Sequence, residues 1–264
     1  MSISSHPDTA VVVPTAARLL DVALPIPPGH EPVYGDPTIA VRGLTKRYGH
    51  VAAVQELSFN VHPGTVVGFL GRNGAGKSTT LRILAGLSVP SSGTATIAGV
   101  PYRSLPRPMH VAGFGLSAEA FHPSISGERM LRTLGSRIGV GRGRVRAVLE
   151  LVELQGAADR PVGKYSQGMR QRMSLARAIL HDPKILFLDE PFSNVDLHSA
   201  REMVGLLKGM RDAGQTILVV THQAALLDGV ADEFVWMQAA QIVDRTNHLA
   251  RGHLAPGDAP AVEP

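Results

Sequence analysis

A glycine-rich loop at residues 71–78 constrains this 264-residue chain more than any other feature of its sequence. The loop reads Gly-Arg-Asn-Gly-Ala-Gly-Lys-Ser, which fits the pattern G-x-x-x-x-G-K-[S/T] in full, and Thr79 follows it. The apolar run Val66–Leu70 comes directly before the loop, and a helical pattern of leucines comes directly after it. The chain must therefore form a strand–loop–helix unit at this point, which is the setting in which this pattern binds phosphate.

Each residue type in the loop suits contact with phosphate oxygens. Glycines let the backbone curl so that successive N–H groups point inward, and the helix expected from about Gly76 adds the positive end of its dipole. Lys77 is expected to reach the β- and γ-phosphates of a nucleotide, and the Ser78 hydroxyl to bind Mg²⁺. A coincidental glycine turn is the alternative, and the loop alone does not separate an ATPase from a GTPase or a kinase. The candidate nucleotide-binding residues are Gly71, Arg72, Asn73, Gly74, Ala75, Gly76, Lys77, Ser78 and Thr79.

Two adjacent carboxylates end a second apolar run. Ile185–Leu188 reads as a buried strand, and Asp189 and Glu190 follow it. A carboxylate at a strand tip beside the phosphate loop is placed to bind Mg²⁺, so Asp189 is predicted to share the metal with Ser78. Since adjacent strand residues point to opposite sides, Glu190 is predicted to face the attacking water as general base. A pair of solvated charges is the alternative, and the upstream loop argues against it.

Short β-type runs alternate with helical patterns, which predicts an α/β fold with a parallel central sheet. The last two of the predicted strands are nearly continuous apolar runs, as expected of parallel strands that are buried on both faces. Residues Asp196–Ala213 are predicted to form a helix, with Asp196 as N-cap and Gly214 as its stop. The predicted strands are Thr38–Leu44, Leu57–Val61, Thr65–Leu70, Thr94–Ala98, Ile185–Leu188 and Thr216–Val220.

Composition narrows the chemistry. The chain has no cysteine, which excludes disulfides, thiolate metal sites and a cysteine nucleophile. Its net charge is +4, with Arg and Lys scattered along the sequence, so no nucleic-acid partner is expected. No apolar run reaches the roughly 18–20 residues that a membrane-spanning helix needs, so a membrane role would act through a partner.

The sequence predicts one folded domain between two irregular segments. Residues 1–36 are rich in Pro, Ala and Val without periodicity and are expected to form a disordered extension. Residues 248–264 are expected to form a flexible tail, which leaves residues 37–247 as the domain. No motif occurs twice, so a single nucleotide-binding unit is expected.

A further motif carries a family resemblance. Tyr165–Met169 reads Tyr-Ser-Gln-Gly-Met, and the run Arg172–Ala178 follows it. With the loop and the acidic strand, this order resembles the nucleotide-binding domains of ABC transporters over about residues 38–245. The family signature usually reads Leu-Ser-Gly-Gly-Gln, so only its serine (Ser166) and its second glycine (Gly168) are kept. From the residues alone, Ser166 is an ordinary N-cap of the following helix, and both interpretations can hold together.

The resemblance assigns roles to several residues. It implies ATP as the ligand, with Tyr48 stacking on adenine, although a core tyrosine is the alternative there. It implies that Ser166 and Gly168 close over the γ-phosphate held by a second subunit, in a homodimer or a heterodimer with a related ATPase. Ser193–Asp196 resembles the loop that crosses that interface. His222, at the end of a strand, resembles the family's switch histidine, which contacts the γ-phosphate and joins Glu190 and Lys77 in catalysis.

The resemblance also implies an architecture and a setting. An antiparallel β subdomain and an inserted helical subdomain at about residues 117–180 are expected beside the nucleotide-binding core. A transmembrane permease is the implied partner, with the chain cytoplasmic and peripheral on the inner face of the cell membrane. The residue sequence of the signature resembles that of bacterial drug and antibiotic exporters. An importer subunit, a soluble ABC ATPase and a catalytically weak subunit paired with a stronger homologue are the alternatives.

One family feature is missing from the sequence. Most relatives carry a Gln in the segment that corresponds to Gly113–Pro123, where it touches Mg²⁺ and the water. No Gln stands in this segment, and Ser117 or Glu119 is a candidate for its place. The departure concerns the Mg²⁺ coordination and the coupling contact, not the overall assignment.

Overall fold

The computed structural model describes residues 38–116 and 121–247. The expected N-terminal extension, the expected tail and the Ser117 and Glu119 candidates lie outside the described residues. The strands are β1 (Ile39–Tyr48), β2 (Val51–Val61), β3 (Val66–Gly71), β4 (Ser92–Ile97), β5 (Ala112–Gly115), β6 (Ile185–Asp189), β7 (Thr216–Thr221), β8 (Glu233–Gln238) and β9 (Gln241–Asn247). The helices are α1 (Lys77–Leu84), α2 (Pro108–Val111), α3 (Gly127–Arg137), α4 (Arg142–Leu151), α5 (Gln167–Ile179) and α6 (Leu197–Asp212).

Six strands form one mixed sheet in the order β5-β6-β7-β3-β8-β9. Pairing is parallel from β5 through β8, and β9 joins the edge antiparallel to β8. The predicted parallel centre is therefore confirmed, with one antiparallel edge strand in addition. The order places β7 between β6 and β3, so the loop after β3 and the acids Asp189 and Glu190 at the end of β6 lie at the same edge of the sheet.

The large sheet is buried on both faces. Along β7, Ile217 and Val219 join one hydrophobic core, while Leu218 and Val220 join the other. Because successive strand side chains point to opposite faces, a strand covered on both sides must be apolar at every position. This is why the two runs around Ile185 and Thr216 read as continuous apolar segments.

A separate antiparallel sheet covers one side of the domain. Its order is β2-β1-β4, and β1 pairs with both neighbours. Its buried side chains, among them Val41, Leu57 and Phe59, share a core with α1 and with one face of the large sheet. The antiparallel β subdomain implied by the resemblance is confirmed.

Three helices lie between β5 and β6 in the chain. α3 and α5 both begin at a serine N-cap: the Ser126 hydroxyl accepts from the Arg129 amide, and the Ser166 hydroxyl from the Met169 amide. Met173, Ala176 and Leu180 of α5 and its C-terminal end are buried, as the spacing of apolar residues predicts. None of the helices in the described ranges is long and apolar enough to cross a membrane.

The structure extends several predicted elements and shortens one. β1 and β2 are longer than the predicted runs, because residues on both sides of their shared turn, most of them exposed or half-buried, also pair. The leucine pattern after the loop predicts a helix that includes Leu87, but α1 ends at Leu84 and Gly86 has a φ of 67°. Strands β5, β8 and β9 were not predicted. β5 is four residues long and half glycine, so it carries little β-type signal.

Candidate nucleotide-binding site

The glycine-rich loop joins β3 to α1 as its sequence predicts. Gly71 and Gly76 have φ values of 149° and 101°, which L side chains rarely adopt. A side chain at Gly71 would meet the Met237 carbonyl, and one at Gly76 would meet the Ala53 carbonyl. Glycine is therefore required at both positions by conformation and by space. Gly76 is the N-cap of α1 and makes no side-chain cap bond.

Lys77 is buried within the loop. Its Nζ atom donates hydrogen bonds to the carbonyl oxygens of Gly71 at 2.6 Å and Arg72 at 3.1 Å. Burial lowers the pKa of Lys77, and the charges of Glu190 and Asp189 oppose that shift. The two bonds hold the ammonium group against the start of the loop.

Ser78 and Asp189 meet across the edge of the sheet. The Ser78 hydroxyl donates to the Oδ1 atom of Asp189 at 3.3 Å. Two neighbouring ligands of an octahedral Mg²⁺ ion lie about 3 Å apart, so this pair of hard oxygens fits the predicted metal site. Burial is the largest cause that raises the pKa of Asp189, and the Ser78 hydrogen bond and Lys77 oppose the rise. A bound cation would stabilise the ionised carboxylate that burial disfavours.

Glu190 lies one residue beyond β6, with a φ of 49°. The left-handed backbone of Glu190 therefore sets the direction of its side chain, and the prediction of that direction from strand alternation is wrong. The Oε2 atom of Glu190 lies 2.9 Å from Nδ1 of His222 and accepts from the Ser193 hydroxyl at 3.3 Å. His222 directly follows β7, the strand beside β6. Half of the His222 side chain is exposed, which leaves its other nitrogen accessible.

Gln171 is a residue near this site that the sequence did not single out. Its buried side-chain amide, on the second turn of α5, donates to the carbonyl oxygens of Glu190 at 3.3 Å and Ser193 at 3.5 Å. One NH₂ group thus spans the turn that carries Glu190. No local sequence pattern around Gln171 indicates this contact, because Gln171 and Glu190 are 19 positions apart in the chain.

Tyr48 and the Ser166–Gly168 pair lie on other parts of the surface. The Tyr48 side chain is 53% exposed at the end of β1, which excludes the alternative of a core tyrosine. The Lys46 ammonium lies 4.9 Å from the centre of its ring. Ser166 caps α5 with its hydroxyl. A Cβ atom at Gly168 would lie in ordinary van der Waals contact with the Val195 side chain, which belongs to the predicted interface loop.

The fold brings five side chains to one edge of the sheet, those of Lys77, Ser78, Asp189, Glu190 and His222. Carboxylate and hydroxyl oxygens there suit a hard cation, and a curled backbone with a lysine suits phosphate. In the described part of the chain, no group of three or more His, Cys, Asp or Glu side chains could hold a metal ion. The edge is suited to hold a phosphate chain together with a cation that takes further ligands from it.

The family model described as ABC transporter matches residues 54–193, a little over half of the 264 residues. The match begins within β2 and ends at Ser193, so it includes the glycine-rich loop, Ser166, Asp189 and Glu190.

Curated proteins with similar sequences include two kinds of transport subunit. The Nod factor export ATP-binding protein I of Ralstonia nicotianae is 34% identical over 235 residues, covering 86% of this chain and 70% of the relative. The bacitracin transport ATP-binding protein BcrA of Bacillus licheniformis is 36% identical over 197 residues, covering 74% of this chain and 64% of the relative. The chain thus spans between 62% and 70% of the length of these and two further Nod factor export relatives.

Solved structures share the fold. The dimeric bacterial ABC transporter cassette MJ0796 superposes with a TM-score of 0.74 at 23% identity, covering 81% of this chain and all of that chain. A structure of the same cassette in a post-hydrolysis state, bound to ADP and Pi, gives the same TM-score. At this identity the similarity establishes the architecture of the domain.

Proposed function

The chain belongs to the ABC transporter family, and from that premise we propose that it binds and hydrolyses ATP to power export through a separate transmembrane permease. The observation that carries the proposal is the Glu190–His222 contact of 2.9 Å beside the Ser78–Asp189 pair. A site that only bound nucleotide would not need a carboxylate held by a histidine next to the phosphate loop.

The binding roles follow from the loop. The N–H groups of residues 71–79 hold the phosphates, and Lys77 exchanges its bonds to the Gly71 and Arg72 carbonyls for phosphate oxygens. Tyr48 presents an exposed ring for stacking on the base, and the ATP-binding relatives favour adenine as that base. Ser78 and Asp189 hold Mg²⁺, which neutralises charge on the phosphates when it is bound.

The hydrolytic roles fall to Glu190 and His222. Glu190 accepts a proton from the attacking water as general base. An ionised carboxylate only accepts hydrogen bonds, so Nδ1 of His222 carries the hydrogen in their contact. Nε2 is then the ring nitrogen left for the γ-phosphate, and it donates to a phosphate oxygen in the imidazolium form, in which both nitrogens carry hydrogen. Ser193 and Gln171 hold the turn that carries Glu190.

The signature residues act in a dimer. Ser166 and Gly168 lie at the N-terminus of α5, where free amide groups and the helix dipole favour an anion. We expect them to bind the γ-phosphate held by a second subunit, in a homodimer or a heterodimer with a related ATPase. The dimeric form of the MJ0796 cassette supports this arrangement.

The direction of transport rests on the relatives. The two curated relatives described above are named for Nod factor export and for bacitracin transport. Export by a drug or antibiotic type of transporter is therefore favoured over import. The chain would then act in the cytoplasm, peripheral on the inner face of the cell membrane. A soluble ABC ATPase that acts on ribosomes remains the alternative that the experiments below separate.

The Glu190→Gln variant tests the hydrolytic role. ATP binding should persist, turnover should fall at least about a hundredfold, and an ATP-bound dimer should accumulate on size-exclusion chromatography. The matched control is Glu150→Gln, an exposed glutamate of α4, which should behave as the wild type. Normal turnover in Glu190→Gln would contradict the assignment of the general base.

The transport role has its own test. Affinity purification of the tagged chain from detergent-solubilised membranes should recover a multi-spanning protein, and Glu190→Gln with ATP should keep that complex together. Recovery with ribosomes from the soluble fraction, and with no membrane protein, would contradict export while leaving ATP hydrolysis intact.

A further inference from the structure

Arg172 is a buried arginine that the proposed site does not use. It lies on the second turn of α5, the helix that Ser166 caps, and it is 8% exposed. A guanidinium group is rarely buried to this extent unless it is paired, because removing a charge from water is costly. The contacts that compensate for the burial of Arg172 reach two other helices.

One arm of the guanidinium group holds the end of α4. The Nη1 atom of Arg172 donates to the Val152 carbonyl at 3.2 Å and to the Oε2 atom of Glu153 at 2.8 Å. Val152 is the C-cap of α4, and Glu153 follows it with a left-handed φ of 56°. A cation at this position satisfies a terminal carbonyl group and opposes the negative end of the helix dipole. Arg172 therefore fixes the C-terminal end of α4 to α5.

The other arm of the guanidinium group reaches α6. The Nη2 atom of Arg172 forms an ion pair with the Oε2 atom of Glu202, which lies on the second turn of α6. The Glu202 side chain is 31% exposed, and its Oε1 atom lies 3.1 Å from Nε2 of His198, an exposed residue. Salt screens a partly buried pair of this kind less than a pair on the surface. The pair joins the N-terminal half of α5 to the N-terminal half of α6.

This ion pair connects two segments that precede the helices. α5 begins after Ser166, and α6 begins after Asp196, the last residue of the predicted interface loop. Gln171, the neighbour of the buried arginine, donates to the Ser193 carbonyl at 3.5 Å, where that loop begins. Two successive residues of α5 therefore hold the loop. One contacts its first residue, and the other contacts the helix that follows its last residue.

Apolar packing and the ion pair restrain the two helices in different ways. Met173 and Ala176 of α5 belong to the same hydrophobic core as Ala200 and Met203 of α6. Packed helices stay close together but tolerate small sliding movements. A planar guanidinium group that bonds a carboxylate has a directional geometry, which disfavours such movements. The pair therefore restrains the N-terminal ends of α5 and α6 as one unit.

We propose that Arg172 is a positioning residue that acts through Glu202. It keeps Ser166 and the predicted interface loop in a fixed relation, so that one subunit presents both to a second subunit as a single unit. Since only the proposed function places these segments at a dimer interface, this role rests on that function. With the pair intact, the segments are preorganised, and dimer formation does not have to order them. Without it, the ATP-bound dimer is weaker, while a single subunit keeps its affinity for ATP.

Two matched variants separate the two arms of Arg172. Glu202→Gln removes the charge that pairs the arginine with α6, and Glu153→Gln removes the charge that pairs it with the end of α4. Both variants change the net charge by the same amount and leave Arg172 with one ionised partner. His198→Gln is a control for the contact between His198 and Glu202. Arg172 itself is kept, since two carboxylates without their buried cation could prevent folding.

The strength of the ATP-bound dimer is the first measurement. Each substitution is made in the Glu190→Gln chain, and sedimentation velocity gives the dissociation constant of the dimer with ATP and Mg²⁺. Glu202→Gln should raise this constant about tenfold, whereas Glu153→Gln and His198→Gln should leave it within about twofold. ATP affinity, measured at subunit concentrations well below that constant, should be equal in all the variants. Urea unfolding establishes that each variant is folded.

The protein concentration at which turnover develops is the second measurement, made with Glu190 intact and saturating ATP. Turnover per subunit rises with protein concentration as dimers form. Glu202→Gln should need about tenfold more protein to reach half of its maximum, and that maximum should stay within about twofold of the wild-type value. A loss of folded protein would lower the maximum, so this measurement separates positioning from a purely structural role.

The outcomes distinguish this role from the proposed function. Equal dimer dissociation constants for Glu202→Gln and Glu153→Gln would overturn the role of Arg172 and leave the proposed function intact. So would an effect of His198→Gln as large as that of Glu202→Gln, or a lower maximal turnover with an unchanged midpoint. If the Glu190→Gln chain forms no dimer with ATP and Mg²⁺, the dimer of the proposed function is contradicted, and this role is overturned with it.

Discussion

The Nδ1 atom of His222 lies 2.9 Å from the Oε2 atom of Glu190, although 32 residues separate them in the chain. Each residue follows a parallel strand, and the two strands, β6 and β7, are neighbours in the sheet. The contact is therefore a product of strand order. It places a histidine and a carboxylate together at the edge that carries the phosphate loop.

The first prediction concerns His222. His222→Ala should lower ATP turnover by about a hundredfold or more and leave ATP affinity nearly unchanged, because the variant loses both the support for Glu190 and the outward nitrogen. Steady-state phosphate release measures turnover, and equilibrium titration with a fluorescent nucleotide measures affinity. His62→Ala, at an exposed histidine, is the control. A selective loss of affinity with normal turnover would contradict the role.

Lys77 is predicted to act in binding. Lys77→Ala removes charge-assisted hydrogen bonds to phosphate, so the Kd for ATP should rise about tenfold to a hundredfold. Lys184→Ala, at an exposed lysine, should leave the Kd unchanged. Because Lys77 also supports the Gly71 and Arg72 carbonyls, urea unfolding of both variants is measured alongside. An unaltered Kd in Lys77→Ala would remove the lysine from the site.

Gln171 is predicted to position Glu190. Gln171→Leu keeps a similar volume but removes the donors to the Glu190 and Ser193 carbonyls, so kcat should fall about tenfold with little change in KM. The Gln155→Leu variant, at an exposed residue, is the control. A rise in KM with normal kcat would indicate that Gln171 acts on binding and does not hold the turn.

The fourth prediction concerns pH and His181, which is buried and distinct from the site. Burial lowers its pKa from 6.5 to about 4, so in this window the unfolded state binds a proton that the folded state does not. The free energy of unfolding should therefore fall as pH falls from 6.5 to 4, by at most about 3 kcal/mol. Urea unfolding across this range should show a shallower slope for His181→Phe, and a slope like the wild type for His50→Phe, at an exposed histidine. Parallel slopes for wild type and His181→Phe would contradict the prediction.

The ends of helix α6 show which structural features a local sequence pattern can predict. Asp196 caps α6 by accepting from the Ser199 amide, and Gly214 follows the helix with a φ of 89°, both as predicted. These features are readable because a cap and a stop involve residues within one turn. The strands β8 and β9 were missed, although β8 contains the apolar run Phe234–Met237, and their pairing depends on neighbours elsewhere in the chain.

The sequence by itself determined the glycine-rich loop and the presence of Asp189 and Glu190 at a strand end, because each is a contiguous pattern. It did not determine the direction of Glu190, whose left-handed φ of 49° breaks the strand alternation. It also determined the three central parallel strands β3, β6 and β7, since burial on both faces demands an apolar residue at each position. Only the tertiary structure decided that Glu190 contacts His222 and that Gln171 of α5 donates to the turn that carries Glu190. It also decided that Arg172 of α5 pairs with Glu202 of α6. These contacts join residues far apart in the chain, and strand order and helix packing, which local periodicity does not encode, bring them together.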